Sequence, residues 1–137
     1  MKSILFLTLT FFLFLSCGTE VNEDTHAAFW VEKLSDSLTK VHVLQFKTIK
    51  KNKYSGSFAI LEKGKYEVIY EMNDVKISDE NVSFSVNDLI LSFSGMISEN
   101  GFEISGEFIY ENGAKYSYEA DKIMDEHYVL FKDKFLK

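Results

Sequence analysis

Residues 81–97 read Asn-Val-Ser-Phe-Ser-Val-Asn-Asp-Leu-Ile-Leu-Ser-Phe-Ser-Gly-Met-Ile, and within them Val82, Phe84 and Val86 alternate with Ser83 and Ser85, then Leu89, Leu91, Phe93, Gly95 and Ile97 face one way while Ser92 and Ser94 face the other. A period of two puts successive side chains on opposite faces of an extended strand, so each run has one packed and one wet face. The pattern continues on the C-terminal side. Phe102, Ile104, Gly106, Phe108 and Tyr110 alternate with Glu103, Ser105 and Glu107, and Tyr116, Tyr118 and Ala120 with Ser117 and Glu119.

The breaks between runs carry turn chemistry: Lys51-Asn52-Lys53, Lys63-Gly64-Lys65, Asn87-Asp88, Glu99-Asn100-Gly101 and Glu111-Asn112-Gly113. Asn-Gly pairs tolerate the positive φ that tight hairpins need. Strands are predicted near residues 29–34, 40–49, 53–61, 65–72, 74–77, 81–86, 89–98, 102–110 and 115–123, the fifth continuing the fourth, which makes seven or eight in all. Strands joined by tight turns form an antiparallel meander, and closing it into a small barrel or half-barrel covers its apolar face and removes its edges. No run leaves room for a buried βαβ crossover, which excludes dinucleotide-binding and P-loop domains. Two segments fit either period. Ala27, Val31, Leu34, Leu38 and Val41 recur at helical spacing, although a strand reading is preferred there, and residues 123–137 suit a short terminal helix or a last strand equally.

The N-terminus has a different character. Lys2 precedes residues 4–15, a run of ten apolar residues with Thr8 and Thr10. As a helix this run spans only about 18 Å, too short for a bilayer core, and it reads as a signal peptide. The run ends Phe14-Leu15-Ser16-Cys17-Gly18, which resembles the lipobox of bacterial lipoproteins and implies lipidation of Cys17. The expected organisation is a signal peptide at 1–16, the lipidated cysteine with an acidic tether at 17–25, and a β-domain at 26–137. Cys17 is the single cysteine, so no intrachain disulfide forms.

Without residues 1–16 the chain keeps 14 lysines, no arginine and 21 acidic residues, a net charge of −7. That balance lacks both the field that draws in phosphate backbones and the planar fork that reads guanine, so nucleic acid is not an expected partner. It also argues against a polybasic grip on anionic lipid, leaving acyl chains as the expected membrane attachment.

Chemistry finds few footholds. His26, His42 and His127 are scattered, with no His-Glu-x-x-His, Cys-x-x-Cys or Gly-x-Ser-x-Gly motif. No catalytic residue, metal site or cofactor is predicted, and the chain is not expected to be an enzyme. Three sites share the pattern aromatic or aliphatic residue, serine, glycine: Tyr54-Ser55-Gly56, Phe93-Ser94-Gly95 and Ile104-Ser105-Gly106. Glycine on the apolar face of a strand lets a small sheet coil, or opens room for a ligand. An eight-stranded barrel is just wide enough to be filled by side chains or to hold one small molecule. Trp30, Tyr54, Phe93 and Phe108 are the residues predicted to line such a site.

Residues 30–123 resemble a small antiparallel β-domain found ahead of some bacterial α/β-hydrolases and in free-standing lipoproteins, similar in style to lipocalin-like half-barrels. The resemblance is carried by Trp30 with Leu34, the apolar strand Val41 to Phe46, Tyr54-Ser55-Gly56, Val75 to Ile77, Val82-Ser83-Phe84, Leu91-Ser92-Phe93-Ser94-Gly95, Ile104-Ser105-Gly106 and Tyr116 to Ala120. Glu32 stands where that module has glycine, and the hydrolase itself is missing. The resemblance implies a fold and a place in the cell envelope, most simply the outer membrane, with no catalytic residue to carry over. Two functions follow as expectations: a lipid-anchored barrel that binds a small apolar ligand, or a non-catalytic structural or interaction module that docks to an envelope partner through a strand edge or Tyr128-Val129-Leu130-Phe131.

Overall fold

Alternation becomes pleated strand along nearly the whole chain in the computed structural model, which describes residues 28–35 and 37–137. The leader, Cys17 and the tether lie outside the described residues. The strands are β1 (Phe29–Glu32), β2 (Lys40–Lys50), β3 (Lys53–Glu62), β4 (Tyr66–Glu71), β5 (Asn73–Ser78), β6 (Asn81–Val86), β7 (Leu91–Ile97), β8 (Glu103–Tyr110) and β9 (Lys115–Ile123), followed by helix α1 (Asp125–Phe135).

Every pairing is antiparallel, and neighbours follow sequence order except at one seam, where β9 returns to pair with β1. The two outermost strands of the ladder, β4 and β5, are consecutive in the chain and separated only by Met72, whose amide donates to the Gly56 carbonyl at 3.0 Å. They act as one bent strand that pairs first with β3 and then with β6. Counted that way the meander has eight strands, an even number, as an antiparallel ring requires, and the sheet is a nearly closed barrel. Gly64, Gly101 and Gly113 hold φ of 68°, 73° and 79° at the turns where the sequence places them.

Inside, the even-numbered residues of β1 to β3 meet the aromatic faces of β6 to β9. Phe93 packs on Phe108 with ring centroids 4.9 Å apart, and Phe108 also meets Phe58 at 5.3 Å and Tyr118 at 5.1 Å. Gly95 and Gly106 face each other across β7 and β8, and the tip of the Phe93 ring lies 2.7 Å from where a Cβ on either would stand. The Met72 sulfur fills the corresponding space at Gly56. These glycines therefore make room for the protein's own side chains.

A second apolar cluster lies on the outside of the wall. Val31, Val41, Val43, Ala59 and Leu61 point away from the interior yet are buried, because Tyr128, Phe131 and Phe135 of α1 cover them. Phe29 stacks on Tyr128 at 3.9 Å, and Lys132 reaches Glu67 of β4 at 3.1 Å. Asp125 and Glu126 open the helix while Lys132 and Lys134 close it, each favourable to the helix dipole.

The open C-terminal reading thus resolves as helix, with Tyr128 inward while Val129 and Leu130 remain exposed. Two details differ from expectation. The seventh strand starts at Leu91, because Asn87–Leu89 form a 3-10 turn. Phe102, assigned to the packed side by its parity, precedes β8 and is 62% exposed, since the alternation outlasts the ladder that gives it meaning.

Gly106→Ala should lose roughly 2 kcal/mol or more of unfolding free energy, because backbone and the Phe93 ring occupy the new methyl's space. Denaturant unfolding checks this, with Gly113→Ala, where nothing lies within 4 Å, separating contact from backbone strain at its φ of 79°.

Candidate functional site

β1 ends where its neighbour β2 begins, and there the ladder between them stops: Val31 pairs with Val43, but His42 finds no main-chain partner in β1. Its amide donates to Glu32 Oε2 at 2.9 Å, and its carbonyl accepts from the Tyr118 hydroxyl at 2.9 Å. The same hydroxyl lies 3.1 Å from the Trp30 carbonyl. Two inward side chains thus stand in for a missing rung, which meets the demand that buried main-chain polar groups find partners.

Glu32 does more than cap the strand. Its Oε2 also accepts from Nδ1 of the His42 ring at 2.9 Å, and its Oε1 accepts a short hydrogen bond from the Tyr116 hydroxyl. The residue is 6% exposed, the one buried charged side chain among the described residues. Burial pushes its carboxyl up, but the hydrogen bonds from His42 and Tyr116 outweigh burial and hold it below the usual carboxylate range. Burial, followed by the Glu32 hydrogen bond and charge, pushes the Tyr116 hydroxyl well up, so it remains a donor. Burial likewise raises Tyr118.

An ionised carboxylate only accepts, so Nδ1 of His42 carries a proton. In the neutral ring Nε2 is then the lone-pair nitrogen. The ring sits against Phe58 at 5.6 Å and edge-on to Tyr116 at 5.4 Å, with Phe108 at 6.1 Å, and its side chain keeps 16% of its surface exposed. A carboxylate-oriented imidazole over an aromatic floor can accept a hydrogen bond or a proton from a group placed at Nε2. No group of three or more metal-ligating side chains occurs among the described residues.

Of the residues predicted to line a site, Trp30, Phe93 and Phe108 share the interior cluster, and Trp30 also lies 5.8 Å beneath the Lys122 ammonium. Tyr54 is apart from them, half-buried along a groove of about 570 Å³ that it shares with Val75 and Ile77. Sequence reasoning missed Glu32, His42 and the role of Tyr116. The signal was parity: Glu32 shares a face with Trp30, and His42 with Leu44 and Phe46, so both polar residues fall on an inward stripe. Compared with protein-family models, curated proteins and solved structures, the chain matches none of them.

Because the folded-state pKa of Glu32 lies below its unfolded value, its stabilisation is complete above the unfolded pKa and is lost as pH falls through the folded one. Glu32→Gln should cost roughly 1–3 kcal/mol at neutral pH. The gap from the parent protein should narrow in urea titrations repeated in acid; a gap that stays constant would show that the ionised form contributes nothing.

Proposed function

We propose that the protein is a lipid-anchored protein of the bacterial cell envelope whose barrel binds a small, mainly apolar molecule at the mouth beside His42. The observation that carries this reading is the Glu32–His42–Tyr116 cluster, a polar group held in one tautomer directly above the Phe58 and Phe108 rings. Ligand sites combine an apolar lining with a few placed polar groups, and the residues around His42 supply both kinds. The lone pair at Nε2 suits a ligand that presents a hydroxyl, amide or other donor. Phe93 and Phe108 then form the base of the site, and Trp30 supports it from within. The anchor and the outer-membrane location in this reading rest on the lipobox-like Phe14-Leu15-Ser16-Cys17-Gly18 and on the envelope resemblance.

A second reading, a non-catalytic interaction module, draws on the filled interior, where Phe58, Phe93, Phe108 and Tyr118 are each at most 2% exposed. Val129 and Leu130 on the outer side of α1 would be its contact surface.

Native mass spectrometry of the full chain extracted from membranes separates the two. The binding reading expects an added mass that denaturation releases and that His42→Ala removes, whereas a bare mass with a co-purifying partner favours the module. Cys17→Ser should abolish incorporation of labelled fatty acid. Unchanged labelling would overturn the anchor at that residue.

A further inference from the structure

The acidic net charge conceals a local excess of the opposite sign. Between residues 37 and 61 the chain has five lysines and neither aspartate nor glutamate. Four of them, Lys47, Lys50, Lys51 and Lys53, lie on the hairpin of β2 and β3, and all four are exposed. Among the described residues none of these four has a carboxylate within ion-pair distance, whereas Lys33, Lys40, Lys65, Lys115 and Lys132 each do.

The hairpin extends well beyond the rungs it shares with β1 and β4. Phe29 pairs with Gln45, and β2 continues for five more residues, Phe46 to Lys50, roughly 16 Å at the rise of a strand. On the other side β3 pairs with β4 only from Ser57 onward. The register passes from Thr48 opposite Tyr54 to Lys50 opposite Lys53, which leaves Ile49 as an unpaired bulge residue, 56% exposed. Bulges re-aim a side chain, and this one leaves an exposed isoleucine on a hairpin tip that carries four exposed lysines. Across the adjoining groove lie Lys76 and Asp79.

Strand direction puts this tip at the end of the barrel where the chain enters β1, opposite the mouth that holds Glu32 and His42. We propose that the β2–β3 hairpin tip docks on an anionic lipid bilayer, with the four lysines against phosphate headgroups and Ile49 set into the interface. Charge complementarity and the apolar residue at the tip favour a bilayer over a soluble polyanion, which would gain nothing from Ile49. The eleven residue-to-residue steps from Cys17 to Ala28 reach at most about 40 Å, so an acylated chain would hold the tip within range of the surface. The proposal does not need that acylation.

The test uses the full chain carrying Cys17→Ser, so that no acyl chain contributes, sedimented with phosphatidylcholine vesicles with and without phosphatidylglycerol. Phosphatidylglycerol should strengthen binding beyond the level that the apolar leader alone gives on phosphatidylcholine, and salt should remove that increment. Lys50→Gln with Lys51→Gln should lower it at least about tenfold, at roughly fivefold per lysine near an anionic surface, and Ile49→Ser should lower it further. All variants share the same leader and carry changes only at exposed positions, so the difference reads the hairpin. Equal affinity of the lysine variant and its parent for the anionic vesicles would overturn the proposal. So would equally tight binding to a soluble oligonucleotide with no effect of Ile49→Ser, which would assign the tip to a polyanion.

Discussion

Four residues, Phe29–Glu32, join the two halves of the sheet: Phe29 to Val31 pair with β2 and all four pair with β9, so the barrel closes through them. They contribute to three different parts of the molecule. Phe29 and Val31 face outward under α1, Trp30 enters the interior, and Glu32 completes the hydrogen bonding of His42. A strand this short has few ladder bonds of its own, so the helix outside and the side-chain rung inside supply what the main chain lacks.

The buried carboxylate follows from that shortness. Had β1 run one residue further in register with β2, the His42 amide would have met a main-chain carbonyl and the interior would need no charge. Instead the splayed seam brings a carboxylate, an imidazole and two phenols together; Glu32 accepts from His42 and Tyr116 while Tyr118 donates to the main chain, and these bonds offset the desolvation. The arrangement joins a structural role to a chemical one: the groups that close the seam also hold His42 in one tautomer at the mouth.

Most of the fold was legible because most of it is periodic. Alternation in residues 81–123 and the glycine-bearing turns specify strands, register and meander order, and the continuation of β4 into β5 through Met72 follows the same pattern. What escaped lies where a period is too short to read. β1 has four residues, so the inward parity of Glu32 becomes evident only once the pairing of Trp30 with Leu44 is known. The hairpin lysines escaped for another reason: net charge averages over the chain, whereas a surface field depends on which charges share a face.

The pairing of β1 with β9 joins the first strand of the barrel to the last, nearly ninety residues apart in the case of Trp30 and Tyr118. Contacts so distant in sequence form late, since a long loop must close before they contribute. Until β9 and α1 arrive, the β-branched outer faces of Val31, Val41 and Val43 have nothing to cover them. A growing chain therefore carries an unfinished, aggregation-prone sheet until its last strand and helix are made, so completion at the C-terminus is the step that shields these valines.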